Sequence, residues 1–142
     1  MPSLVASYVH DEGRVGVLVE LRFRESTSAR TSEFNMLAHE IAMQVAAMDP
    51  VVVNPSQLNA TEWSHRLAQL SSSPSLASLA PGERIAALET GRLQYERQFC
   101  LLKQPFIKDD TVLVEDRIAE VAAQLSERIE VVRFCRYAAD AA

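Results

Sequence analysis

The sequence predicts an α+β fold, in which a small antiparallel β-sheet of about three strands packs with amphipathic helices. Three observations favour this class. Two β-rich segments enclose a turn near the start, the apolar spacing becomes helical after residue 31, and a β-branched segment returns near the end. Short turns join antiparallel strands, and this order lacks the alternation of a parallel doubly wound sheet. For 142 residues we expect one domain, residues 1–142.

The first two strands are predicted at residues 4–9 and 14–23, on either side of the turn Asp11-Glu12-Gly13. Residues 15–19 are apolar on both faces of a strand, which predicts a central, well-covered strand. The loop at residues 24–31 is polar, and we expect its backbone to be exposed to solvent.

The clearest helical pattern occupies residues 32–48. Its apolar side chains recur at i, i+3, i+4, i+7, i+11 and i+14 and share one face: Phe34, Leu37, Ala38, Ile41, Val45 and Met48. Pro50 ends this helix, because the residue before a proline disfavours the helical conformation. Met43 replaces the second histidine of a His-Glu-x-x-His zinc motif, so His39 and Glu40 are predicted to be a surface histidine beside a solvated carboxylate.

A helical excursion with a flexible connection is predicted at about residues 57–82. Asn59 and Glu62 have the spacing of a capping box, and Trp63, Leu67 and Leu70 follow at i, i+4 and i+7, a pattern more typical of core than of a recognition surface. The run Ser71-Ser72-Ser73-Pro74-Ser75 then breaks the helix.

The second half of the chain contains two more predicted helices and a strand. Residues 83–98 form a helix with Ile85 and Leu88 facing inward, and residues 99–102 are either its end or a strand. Phe106 is expected in the core near the last helix, which is defined by Val114, Ile118, Val121, Ala122 and Leu125. Residues 129–137, rich in Val, Phe and Ile, form the final strand.

Composition excludes several classes of function. A net charge of −5 disfavours a nonspecific nucleic-acid binder, because neutralising phosphates requires a basic face. No apolar run reaches the roughly 18 residues of a membrane span. The start Met1-Pro2-Ser3-Leu4 does not resemble a signal peptide, and two cysteines are too few for a disulfide framework. We therefore expect a cytoplasmic protein, or an organelle-matrix protein if a transit segment has been removed.

The sequence lacks the residue motifs that nucleotide binding or enzymatic catalysis would need. The 4 glycines, at positions 13, 16, 82 and 91, form no phosphate-binding loop, and no Gly-x-Ser-x-Gly motif occurs. Cys100 and Cys135 are more typical of structural thiols than of nucleophiles. We predict no catalytic residues, no metal site and no cofactor, and hence a binding protein and not an enzyme.

The chain resembles the core domain of bacterial-type elongation factor Ts, and three blocks carry the resemblance. The first begins with Tyr8-Val9-His10 and Val15-Gly16-Val17-Leu18-Val19-Glu20-Leu21 and continues through Ala29-Arg30 and Phe34-x-x-Leu37-Ala38-x-x-Ile41-Ala42-Met43 to Asp49-Pro50. The second is Gly91-Arg92-Leu93. The third joins Leu101-Leu102-x-Gln104-Pro105-Phe106-Ile107-Lys108-Asp109 to Val131-Val132-Arg133-Phe134-Cys135-Arg136-Tyr137.

The resemblance implies a guanine-nucleotide exchange factor that takes part in translation elongation. Such a factor binds GDP-loaded elongation factor Tu and opens its nucleotide site. Family members usually begin with a small three-helix domain, and the present sequence corresponds to the part that follows it. The short family forms have one core with a three-stranded antiparallel sheet, and some dimerise through that sheet.

One loop departs from the family pattern. The family signature Thr-Asp-Phe-Val falls on Glu25, Ser26, Thr27 and Ser28, just before Arg30. In the family, the Phe acts as a wedge in the partner, and the Asp and Phe help to displace a magnesium ion. Neither a carboxylate at Ser26 nor a ring at Thr27 is available, and Phe23 comes four residues before Thr27. We therefore expect weakened exchange; the alternatives are a non-catalytic interaction or scaffolding paralogue, and a core fragment or fusion whose helical domain lies elsewhere.

Self-association is also predicted. An apolar last strand left as an open edge would invite pairing with another chain. We expect a homodimer with Arg133, Cys135 and Tyr137 at or near the contact. For Cys135, a plain buried thiol and an interface position both remain open.

Overall fold

The computed structural model describes residues 1–140. Its strands are β1 (Ser3–His10), β2 (Val15–Arg22), β3 (Pro105–Phe106), β4 (Asp109–Leu113) and β5 (Glu130–Ala138). Its α-helices are α1 (Ser32–Met48), α2 (Ala60–Ser71), α3 (Pro74–Ala77), α4 (Pro81–Phe99) and α5 (Val114–Gln124). A three-stranded antiparallel sheet in the order β1-β2-β5 and a separate two-stranded sheet, β3-β4, confirm the predicted α+β class.

The N-terminal hairpin forms as predicted. β1 and β2 pair antiparallel from Ser3 opposite Arg22 to His10 opposite Val15. The turn between them requires positive φ at three successive residues, 55° at Asp11 and Glu12 and 89° at Gly13. Glycine adopts this region without a Cβ penalty, which explains its place at the end of the turn.

β2 is the central strand of the sheet, as predicted, but it is less well covered than expected, because only one of its faces is buried. Val17, Val19 and Leu21 are buried beneath α1, whereas Leu18, between them on the other face, is 49% exposed. An antiparallel sheet can leave one face in water, and the apolar run at residues 15–19 did not reveal which face that would be.

Helix α1 supplies most of the core opposite the sheet. Thr31 caps its N-terminus, since the Thr31 side-chain oxygen accepts a hydrogen bond from the Phe34 amide at 3.2 Å. The predicted inner stripe is buried except at Met48, the last helical residue, which is exposed. The chain leaves the helix through Asp49 at φ 47°. Arg136 of β5 donates from Nε and Nη2 to the Ala46 carbonyl oxygen, both at 3.2 Å, where a cation also interacts favourably with the helix dipole.

Polar groups link α1 to the β3–β4 hairpin, an element that was not predicted from the sequence. Gln44 is fully buried, and its amide donates to Gln104 Oε1 at 3.2 Å and to the Pro105 carbonyl at 3.1 Å. It accepts from the Ile107 amide at 2.9 Å. Phe106 is buried in the core, as predicted.

The expectation of a solvated Glu40 was also wrong. Its carboxylate lies on the buried side of α1 and is 4% exposed. Arg117 of α5 contacts it at 3.2 Å and Lys108 at 3.7 Å. A buried carboxylate is tolerated when basic partners compensate its desolvation, and here those partners come from the second half of the chain.

Helices α2 and α3 occupy the segment at about residues 57–82, and α4, which begins at Pro81, corresponds to the helix predicted at residues 83–98. Asn59 Oδ1 accepts from the amides of Thr61 and Glu62, which confirms the helix start. Trp63 packs against Tyr95 of α4, with ring centroids 5.2 Å apart. The inward orientation predicted for Ile85 was wrong, because that side chain is 70% exposed. Within the described residues, no helix has the length and apolar content needed to cross a membrane.

Candidate functional site

The loop that follows β2 is more ordered than its polar sequence predicts. Its residues form a 3-10 helix, Ser26–Arg30, which leads directly into α1. Of the residues at the family signature position, Glu25, Ser26 and Thr27 are exposed, whereas Ser28 is 8% exposed. Ser28 therefore points inward, and the expectation of solvent exposure was wrong at this residue.

The carboxylate of Glu127 accepts three hydrogen bonds from this loop. The backbone N–H groups of Arg24 and Glu25 donate to its two oxygens at 2.7 and 3.1 Å. The Ser28 hydroxyl donates to Oε2 at 2.6 Å. The hydrogen bond from Ser28, followed by those from backbone amides, lowers the pKa of Glu127 from 4.5 to about 2, so the group is a carboxylate at neutral pH.

A second set of contacts fastens the loop to α1. The Ser28 carbonyl accepts from the Thr31 hydroxyl at 2.8 Å, and the Thr31 oxygen in turn accepts from the Phe34 amide. The side-chain amide of Asn35 donates to the Ala29 carbonyl at 2.9 Å. The short 3-10 helix is thus held at both ends, although a helix of this length has little stability of its own.

Phe23 cannot act as an exposed aromatic wedge. Its side chain is buried in the core and meets Phe34 edge to face, with ring centroids 5.0 Å apart. The outward surface of the loop includes the exposed residues Arg24, Glu25, Ser26, Thr27 and Arg30. It can form hydrogen bonds and ion pairs but offers no ring to insert.

The second feature is the uncovered face of the three-stranded sheet. We call it the open sheet face and define it by the strand register as Val5, Ser7, Val9, Gly16, Leu18, Glu20, Arg133, Cys135 and Tyr137. Its large apolar members, Val5, Val9, Leu18 and Tyr137, are exposed. Part of it forms a shallow concavity of about 360 Å³ whose lining includes Val5, Leu18 and Cys135.

The predicted contact residues Arg133, Cys135 and Tyr137 alternate along β5 and lie together on this face. Arg133 Nε donates to Glu20 Oε1 at 2.8 Å, and this bond is the main cause of a lowered pKa at Glu20. Cys135 is exposed, which excludes a buried thiol at that position. Among residues 1–140, β5 has β2 as its single strand neighbour, so its other edge is unpaired.

The other cysteine lies in the interior. Cys100 is fully buried at the end of α4, and desolvation raises its pKa to about 11. The thiol is therefore protonated and unreactive at neutral pH. Within residues 1–140, no group of three or more His, Cys, Asp or Glu side chains is placed to hold a metal ion.

Comparison with known proteins agrees with this architecture. The family model described as "Elongation factor TS" matches residues 2–141. Proteins named elongation factor Ts match 94% of the chain, with 37% identity in Oleidesulfovibrio alaskensis, 35% in Desulforamulus reducens and 35% in Koribacter versatilis. The matched segments cover 68%, 62% and 61% of those relatives, so the chain spans about two thirds of their length. The chain belongs to the elongation factor Ts family.

Proposed function

We propose that this chain binds elongation factor Tu and promotes GDP release, with exchange weakened by its altered loop. Such a factor performs no chemistry of its own. It shifts the partner towards the nucleotide-free state by binding that state more tightly than the GDP-bound state. Because its partner acts in translation, we place its action in the cytoplasm.

The observation that carries this proposal is the ordered 24–31 loop. It lies between β2 and α1, where the resemblance implies the partner-binding loop, and Glu127 and Asn35 hold its backbone. Its outward residues Glu25, Ser26, Thr27 and Arg30 are available to a partner, and Ser28 supports them from inside. The loop thus offers a surface for binding, while Ser26 and Thr27 lack the acid and the ring that displacement of magnesium would use.

The same residues favour a second candidate function. A protein with this scaffold and no wedge could bind a partner without releasing its nucleotide, and would then serve as an interaction or scaffolding module. The two functions differ in one measurable quantity, the rate of GDP release from the bound partner.

We also propose that the open sheet face binds a second copy of this chain. An exposed apolar sheet face of this kind marks an interaction surface. Glu20 and Arg133 sit side by side on it, so a twofold axis could place each charge opposite its complement in the partner copy. Arg133, Cys135 and Tyr137 would then lie in the contact.

The deciding experiment measures release of labelled GDP from elongation factor Tu, together with binding of the chain to the immobilised partner. We expect binding with slow release. In Ser26→Asp/Thr27→Phe we expect faster release, because the acid and the ring act as a unit whose effects need not add. Wild-type release within about tenfold of an intact elongation factor Ts, or about 1.4 kcal/mol in the barrier, would refute weakened exchange. Binding without any acceleration, even in the double variant, would favour the interaction module. Absence of binding would refute both.

A further inference from the structure

The anchoring of the 24–31 loop depends on one distant side chain. Glu25 precedes the 3-10 helix, but its own side chain makes no capping hydrogen bond. The N–H groups of Arg24 and Glu25 and the Ser28 hydroxyl donate instead to Glu127, which is 99 to 103 residues away in sequence. Charge-assisted hydrogen bonds of this kind are stronger than those between neutral groups.

We propose that Glu127 is a positioning residue for the partner-binding loop, and that its carboxylate sets the conformation in which Ser26 and Thr27 face the partner. The inference rests on the proposed function for its consequence in binding. Its structural part, the ordering of the loop, stands independently of the partner's identity.

The position of Glu127 is itself fixed by the core. The residue follows α5, a helix anchored by the buried side chains of Val114, Ile118 and Val121. Ser126 turns the chain at φ 50°, and the Glu127 amide then donates to the Ala122 carbonyl at 2.8 Å. The carboxylate therefore extends from the end of a packed helix and can impose order on the loop.

The carboxylate's acceptor capacity matches this role. Oε2 accepts from Glu25 and Ser28, and Oε1 accepts from Arg24 and from the Arg128 amide at 2.8 Å. A neutral amide in the same place would keep one acceptor oxygen and present N–H donors to the groups that face the other. Glu127→Gln should therefore loosen the Arg24–Glu25 end of the loop partly, and Glu127→Ala should loosen that end fully, while the contacts of Thr31 and Asn35 at the other end persist.

The test combines amide hydrogen exchange with binding to GDP-loaded elongation factor Tu. In Glu127→Ala we expect exchange at the amides of Arg24 and Glu25 to rise by about tenfold or more, with an intermediate rise in Glu127→Gln. The core amides of Val19 and Leu21 should keep their protection. Affinity for the partner should fall in the same order. Glu89→Gln, at an exposed position of α4, removes the same charge elsewhere and should change neither measurement.

Two results would overturn the proposal. One is unchanged protection of Arg24 and Glu25 in Glu127→Ala. The other is an equal rise at Val19 and Leu21, which would mean that Glu127 stabilises the fold generally. If Glu127→Ala does not fold, Ser28→Ala removes one donor and should raise exchange at Glu25 but not at Val19; no rise would likewise overturn the proposal. A wild-type chain that fails to bind the partner would refute the proposed function, while hydrogen exchange would still decide the role of Glu127 in ordering the loop.

Discussion

Replacing Ile41 by alanine should weaken the fold strongly. Ile41 is 1% exposed and lies on the face of α1 that covers the sheet. The substitution removes three carbon atoms, so lost burial costs about 2.4 kcal/mol at about 0.8 kcal/mol per methylene. The remaining cavity adds to this, which places the loss within the range of about 2–5 kcal/mol seen for such changes. Relative to a total stability of about 5–15 kcal/mol, this loss is readily measured.

Urea denaturation provides the assay, because a stability change shifts the midpoint at constant slope. Two controls match the substitution. Met48→Ala alters an exposed residue of the same helix, and Thr27→Ala alters the exposed loop; the loop change should remain within about 0.5 kcal/mol of wild type. If Ile41→Ala were silent while Thr27→Ala unfolded the protein, the register of α1 and the position of the loop would both be wrong.

Two further predictions concern Glu127 and the open sheet face. The pKa of Glu127 falls from 4.5 to about 2 on folding. The ionised carboxylate therefore stabilises the folded state above pH 4.5, and this stabilisation is lost as the pH drops towards 2. The urea midpoint of wild type should therefore fall more steeply over that window than the midpoint of Glu127→Gln. Equal slopes of the urea midpoint against pH in the two proteins would contradict this. Both proteins keep the other charged groups that line the same groove, so the titration of those groups cancels in the comparison: Arg24, Glu115, Arg128 and Glu130. In sedimentation at micromolar concentration, wild type should be a dimer and Leu18→Glu a monomer, because the new charges would be buried in the contact. Met36→Glu, at an exposed position of α1 outside the open sheet face, should remain dimeric, and a monomeric wild type would contradict the predicted interface.

Sequence patterns predicted the elements whose signals are local. The turn at Gly13 predicted the β1–β2 hairpin, and the spacing from Phe34 to Val45 predicted the buried stripe of α1. Sequence patterns failed to predict burial where it depends on residues that are far away in the sequence. Ile85 has apolar spacing, but no element within residues 1–140 buries its side chain, which is exposed.

The candidate site shows the same division. The position of the 24–31 loop followed from the resemblance, and the alternation of Arg133, Cys135 and Tyr137 along β5 follows from the period of a strand. The role of Glu127 left no local signal. From sequence alone, a glutamate after a helix is indistinguishable from a solvated surface residue. Only the folded structure brings the donors of the loop to its carboxylate. The position of Glu127 shortly after α5 therefore did not predict its contact with the loop.

The pairing of β5 with β2 has a consequence for how this chain folds. Leu18 lies opposite Cys135, so the central strand gains its second neighbour from the other end of the sequence. During synthesis, β1, β2 and α1 leave the ribosome while one edge of β2 is still unpaired. Such long-range strand pairing forms slowly, because the entropy cost of closing the intervening loop comes before the stabilising contacts between the strands form. The nascent chain consequently exposes an aggregation-prone edge until its final strand is made, and a stop codon within β5 would leave that edge permanently open.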